Sequence, residues 1–268
     1  MTLKVALIGY GAVGAGVARM IREGAAGPVT LAAVVVRDPD RHADHAADLG
    51  VPFVADGNAL LVLRPDVVLE CGGHDAFRQH VPTILAAGID VIAISVGALA
   101  DPDLLAEVER SAAAGGSRLR IPSGAIAALD AISAAAVSGL DRVVHSVRKP
   151  PPTLLPADEA RAVIESGEPR VLYDGPARAA TQLFPANVNV VAAVSLAGIG
   201  LDRTEARVIA DPAVHHNTHE LEVIGDFGRL TVKMENIPSN ENPKTGRIVP
   251  ASLVRALRAL SERVLVGG

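Results

Sequence analysis

Lys4-Val5-Ala6-Leu7-Ile8 runs straight into Gly9-Tyr10-Gly11-Ala12-Val13-Gly14, and a helical apolar spacing follows at once, with Val13, Val17 and Ile21 at i, i+4 and i+8. A continuous apolar stretch of this length, stopped by glycine, reads as a buried strand. The three glycines are then G-x-G-x-x-G between a strand and a helix, the context in which that spacing has a mechanism. Gly9 permits the tight turn, Gly11 lets backbone approach a pyrophosphate, and Gly14 lets helix and strand close on each other. Ala12 and Val13 open the helix, whose unpaired N–H groups and partial positive charge suit phosphate. These residues predict a bound dinucleotide, NAD or NADP.

The rest of the first half repeats the rhythm. Residues 29–36 (VTLAAVVV) and 64–73 (RPDVVLECGG) read as buried strands, 79–95 as helix, glycine stop and strand, 101–116 as a helix opened by Asp-Pro and closed by two glycines, and 118–125 as a further strand. Strands that are apolar throughout and alternate with helices imply a parallel sheet covered on both faces, a Rossmann-type doubly wound α/β domain. Ligands sit beyond the carboxyl ends of such strands, so Cys71-Gly72 and Ser95-Val96-Gly97 are expected to line the cofactor. Cys71 reads more readily as a small packing residue than as a nucleophile, having no activating base near it in sequence. At the end of the second strand, Arg37 facing the ribose would hold a 2′-phosphate, whereas Asp38 facing it would favour NAD.

Past residue 122 the texture changes. Residues 141–159 read as a strand entering a proline-rich turn, and 204–212 and 218–236 alternate polar and apolar positions, as strands with one solvated face do. A second α+β domain with a mainly antiparallel sheet is expected over 123–243. An amphipathic helix over 250–266 lies within a segment, 244–268, expected to pack back on the dinucleotide-binding domain of 1–122.

Composition narrows the function. Aromatic residues are 2% of the chain and Trp is absent, so the core is aliphatic and the scarcity argues against a base-stacking platform for nucleic acid. A net charge of −5 leaves no basic surplus for a nucleic-acid backbone. A single cysteine allows no intrachain disulfide. Neither a secretory leader nor an apolar run of ~18 residues is seen, so a cytoplasmic protein without membrane association is expected.

Three histidines fall within five positions: His215, His216 and His219. With 218–224 as a strand, His219, Leu221 and Val223 share the interior face. His215 and His219 are spaced to converge on a helix, but the upstream proline and the following β-branched residues oppose one there, so metal ligation is disfavoured. A buried structural histidine and an acid/base group at a cleft edge remain, and the second is preferred, since imidazole exchanges protons near neutral pH.

Three later stretches, FPANVNVVAAVSLAG (184–198), NTHELEVIGDFG (217–228) and NIPSNENPKTGRIVPASLVRAL (236–257), together with SGAIAALDA (123–131), resemble the L-aspartate dehydrogenase family, which has a homoserine-dehydrogenase-like NAD-binding domain. The resemblance implies NAD(P)-dependent oxidation of L-aspartate to iminoaspartate, which hydrolyses to oxaloacetate and ammonia, with the reverse reductive amination and a possible supply of imine to NAD biosynthesis. It implies His219 as the catalytic histidine, Ala125 and Asn189 as cofactor contacts, and a homodimer. The substrate's two carboxylates need cationic or N–H partners. Lys244 in the NPKTG loop is preferred, with Asn187 as a second contact or a helix cap, and Arg148, Lys149 and Arg178 as further candidates. A homoserine-dehydrogenase-like or imine-reducing enzyme is the nearest alternative, and a non-catalytic redox sensor the alternative of another class.

Overall fold

The structure is a computed structural model that describes residues 2–184, 188–239 and 245–267. The chain divides into two compact units, residues 1–124 with 249–268, and residues 125–248.

In the first unit the strands are β1 (Leu3–Ile8), β2 (Val29–Val35), β3 (Phe53–Val54), β4 (Val67–Glu70), β5 (Asp90–Ala93) and β6 (Leu119–Arg120). They form one sheet in the order β3-β2-β1-β4-β5-β6, every pair parallel. This is the doubly wound dinucleotide-binding order, with its switch point between β1 and β4. Val67–Glu70 is buried at all four positions, which only a strand covered on both faces requires. The helices are α1 (Ala12–Arg22), α2 (Ala43–Leu49), α3 (Asn58–Leu63), α4 (His74–Ala86) and α5 (Pro102–Gly115). Asp101 caps α5, its carboxylate accepting from Asp103 N and Leu104 N, and Gly116 closes it in the left-handed conformation.

The second unit holds β7 (Leu140–Lys149), β8 (Arg170–Pro176), β9 (Glu205–Ala210), β10 (Asn217–Gly225) and β11 (Gly228–Asn236), in the order β11-β10-β7-β9-β8. Only the β7–β9 pair is parallel. The helices are α6 (Leu129–Ser138), α7 (Ala157–Ser166), α8 (Ala177–Leu183) and α9 (Val188–Ala197), and α6 and α9 pack on each other and on the central strands. Val143, Val147, Leu221 and Val223 are buried on that face. Cross-strand ion pairs, among them Arg148–Glu220 and Arg142–Glu205, occupy the opposite face.

The fold class is as the sequence implies, with local differences. The strand expected over 118–125 is two residues long, because Pro122 cannot extend the ladder. The short elements β3, α2 and α3 are too brief to leave a periodic signal. The last helix, α10, spans Ile248–Ala259 rather than 250–266. It stops where its apolar face runs out: Leu253, Val254 and Leu257 join the first unit's core, whereas Val264, Leu265 and Val266 are exposed. Two i→i−3 bonds, Leu260 N to Leu257 O and Ser261 N to Arg258 O, close its end.

Leu257 is wholly buried in that core. Leu257→Ala is expected to cost about 2–5 kcal/mol in equilibrium urea unfolding. A loss under about 1 kcal/mol would show that the C-terminal helix adds little to the first unit.

Candidate functional site

At the carboxyl edge of the first sheet the three glycines of the turn have different reasons to be glycine. Gly9 has φ of +93°, and a Cβ there would stand 2.5 Å from Gly72 Cα. A Cβ on Gly14 would overlap the carbonyl oxygen of Gly9. Gly11 differs: its φ is −82°, and among the described residues no atom lies within 4 Å of the Cβ it lacks. The space is open at the one glycine whose backbone a phosphate must approach. Gly11 is also the N-cap of α1, where among the described residues no side chain caps the helix and its first turn carries no acid. Ala12 and Val13 sit half-buried in that turn. These residues fit a pyrophosphate held by helix N–H groups.

The flanking candidates fall around this turn. Arg37 and Asp38 are exposed just past β2, and Asp38 pairs with Arg41 at 3.2 Å. The Cys71 thiol donates to Ile8 O at 3.3 Å and packs beneath Gly14. Burial pushes its pKa up, and the Glu70 charge adds to this, so it stays a thiol and a packing residue. The Ser95 hydroxyl is turned inward.

Ser95 points to a group that sequence reasoning missed. Glu70, the last residue of β4, is fully buried. Its Oε1 accepts from Gly72 N at 2.8 Å, Gly73 N at 3.2 Å and Ser95 Oγ at 2.8 Å, and its Oε2 from Ser95 N at 3.1 Å. One carboxylate thus ties the turn after β4 to the turn after β5. Burial raises its pKa to about 7 against the downward pull of those bonds. A lone acid ending an otherwise apolar strand was the available signal.

In the second unit, His219 of β10 lies on the inner face with Leu221 and Val223, 6% exposed. Its Nδ1 is 3.0 Å from Nε2 of His145 on β7, itself 2% exposed, and the rings are nearly parallel at 22°. In register Val147 stands opposite His219 and Leu221 opposite His145, so the histidines are diagonal neighbours on one face. Lys149, two positions past Val147 and buried, shares that face. Burial lowers the His219 pKa to about 4, with the Lys149 charge contributing. Burial, and then the neighbouring His219, push His145 well below its usual range. Both rings are neutral at pH 7.

The remaining candidates divide. His215 and His216 are exposed in the loop before β10. Among the described residues no cluster of three His, Cys, Asp or Glu could hold a metal. Arg148 is committed to Asp211 and Glu220, and Arg178 to Asp202. The Ala125 carbonyl accepts from Asn236 Nδ2 at 2.9 Å, and Asn189 is exposed in the first turn of α9. Asn187 and Lys244 lie outside the described residues. His145 carries a sequence signal only in hindsight: Val143, His145 and Val147 alternate onto one apolar face.

Residues 9–122 match the family described as homoserine dehydrogenase, NAD binding domain, and residues 130–260 match aspartate dehydrogenase, C-terminal. The chain is 42% identical over 258 residues to L-aspartate dehydrogenase of Pseudomonas aeruginosa, covering 95% of this chain and 96% of that protein. It is 42% identical over 259 residues to the enzyme of the same name from Ruegeria pomeroyi, covering 96% and 92%. The chain belongs to the L-aspartate dehydrogenase family. As a member it is an NAD(P)-dependent oxidoreductase. The crystal structure of aspartate dehydrogenase from Thermotoga maritima shares the fold across all of both chains, with a TM-score of 0.78 at 24% identity. Among the described residues no helix is long and apolar enough to cross a membrane.

The glycine geometry separates two roles that substitution can tell apart. Gly11→Ala is expected to cost no more than about 1 kcal/mol of stability, the difference between the two residues as helix caps, and to weaken NAD(P)H binding about tenfold. Gly14→Ala should lose both, because its new Cβ meets backbone. Titration calorimetry beside thermal melts distinguishes the patterns.

The pKa of His219 gives a second expectation. Its folded value, about 4, lies below the ordinary 6.5, so its contribution to stability is full above 6.5 and is lost as pH falls toward 4. The loss is on the order of 3 kcal/mol. Glu70 acts oppositely, its contribution being full below 4.5 and lost as pH rises through about 7. The difference between wild type and His219→Asn reports the coupled histidine pair. Wild type is expected to lose stability relative to the variant between pH 6.5 and 4.5 in urea titrations, and parallel curves would refute the depressed value.

Proposed function

We propose that this chain oxidises L-aspartate with NAD(P)⁺, giving iminoaspartate that hydrolyses to oxaloacetate and ammonia, with His219 as the acid/base group. Relatives named L-aspartate dehydrogenase, 37–42% identical over nearly the whole chain, support the substrate. The observation that carries the mechanism is a buried, neutral imidazole beside a buried lysine on one face of the second sheet.

When bound, the cofactor supplies the hydride acceptor. The chain's own residues manage protons and charge. A neutral His219 can take the proton that the substrate ammonium must lose before a carbon–nitrogen double bond forms. A carboxylate docked against Lys149 would offset the positive charge that adds to burial in lowering His219, raising its basicity on substrate binding. The resulting imidazolium can return its proton to the departing nitrogen as water adds to the imine. Lys149 therefore takes precedence over Arg148, which lies on the opposite face of the same strand, because Lys149 shares the face of His219.

The same reading makes the reaction reversible as reductive amination and makes the imine available to NAD biosynthesis. It has Gly9, Gly11 and Gly14 with Ala12 and Val13 carrying the pyrophosphate, and Ala125 and Asn189 as further cofactor contacts. Asp38 is engaged by Arg41, which leaves the exposed Arg37 able to meet a 2′-phosphate, so use of both NAD and NADP is inferred. A cytoplasmic homodimer accompanies the family resemblance.

Assay of NAD(P)⁺ reduction with L-aspartate, L-homoserine and L-glutamate in parallel tests the substrate, and turnover of homoserine alone would overturn it. His219→Asn is expected to lower kcat by roughly 10²- to 10⁴-fold while keeping cofactor affinity. An equal loss of cofactor binding would instead assign the ring a structural role.

A further inference from the structure

The hydrogen bond between the two histidines has a consequence for which nitrogen of His219 is the base. With both rings neutral, a nitrogen–nitrogen contact of 3.0 Å holds one proton, so one ring donates and the other accepts. If His145 donates from Nε2, Nδ1 of His219 accepts and the His219 proton sits on Nε2, which then has no lone pair to offer. If His219 donates from Nδ1, its Nε2 carries the lone pair. The hydrogen bond made by one ring nitrogen thereby sets the chemistry of the other.

We propose that His145 is a positioning residue that accepts the Nδ1–H of His219, fixing the tautomer whose Nε2 lone pair takes the substrate's proton. The proposal rests on His219 being the base. Its support is geometric: two adjacent strands in fixed register, two rings 22° from parallel, and near-complete burial that excludes water as a competing partner.

The surroundings leave the pair few alternatives. Lys149 of β7 is the charged group whose field reaches His219. Opposite His219 on β11 stands Met234, and opposite His145 on β9 stands Ala206. Beyond His145, a small cavity is walled by Val147, Ala180, Val191 and Val208, with Arg207 at its lining, and that arginine is paired with Asp174. Because Nδ1 of His219 faces His145 at 3.0 Å, its Nε2 is the nitrogen left to meet the substrate, and a base there needs the ring proton on Nδ1. A neutral acceptor then leaves that proton on His219 once the ring is charged. His219 then becomes an imidazolium with Nδ1–H still directed at His145, so accepting the substrate proton requires no ring rotation.

The test uses His145→Leu, which removes the acceptor, and His145→Gln, which keeps a polar atom near the position of Nε2. In the holoenzyme with NADPH, long-range ¹H–¹⁵N spectra of labelled histidine are expected to show His219 protonated at Nδ1 in wild type and redistributed toward Nε2 in His145→Leu. His145→Leu should lower kcat roughly 10- to 100-fold and move the acidic limb of the pH profile, with NADPH affinity kept. His145→Gln should recover most of the rate. A wild-type His219 protonated at Nε2, or a His145→Leu enzyme with unchanged kcat and pH profile while His219→Asn is inactive, overturns this proposal alone. Full activity of His219→Asn would instead remove the reading of His219 as the base. The wild-type spectrum decides the matter even if His145→Leu fails to fold.

Discussion

Backbone meeting backbone at the switch point of the first sheet is the constraint on which that unit depends. Gly9 touches Gly72 and Gly14 touches Gly9, leaving no volume for a side chain at either contact. Such closeness lets α1 begin directly beyond β1, so that its first turn ends in open space at Gly11. Beneath the contact, Glu70 fixes both neighbouring turns through four hydrogen bonds that its one buried carboxylate accepts. An anion in that place carries a desolvation cost that the ring of donors offsets only in part, which is why its pKa stands at about 7. The acid has the same logic as the glycines: it organises backbone at the edge where the phosphates of a dinucleotide are held.

The second unit solves a different problem. A five-stranded sheet with one face under α6 and α9 must put every second residue into an apolar layer. Two of those positions are histidines, and they satisfy each other across neighbouring strands. Burial keeps both neutral at pH 7, and Lys149 adds to that bias at His219. The other face of the sheet carries its charges as cross-strand pairs that include Arg148, whereas Lys149 lies on the face of His219. Alternation along one strand, between residues 148 and 149, thus puts the two cations on opposite faces of the sheet.

Periodicity exposed most of the architecture. Continuous apolar strands, glycine stops and the Asp-Pro start of α5 each report a local backbone requirement, and local requirements leave local signals. The amphipathic stripe at the C-terminus was visible for the same reason, but its end was not: Leu257 is the last buried position, and only the surface it packs against determines that Val264 to Val266 remain outside. Elements as brief as β3 are set by their neighbours rather than by their own residues.

Sequence by itself determined the glycine turn, the doubly wound class, the aliphatic core and the inward orientation of His219, because each follows from the chemistry of residues adjacent along the chain. Its motifs also carried the family resemblance. Tertiary structure alone decided that His145 lies against His219, that Glu70 ties Gly72 to Ser95, and that Lys149 rather than Arg148 shares the histidine's face. Those partners are separated by 74 residues in the first case and 25 in the second. Strand order and register bring them together, and pairing between distant strands has no counterpart in the spacing of residues along one strand.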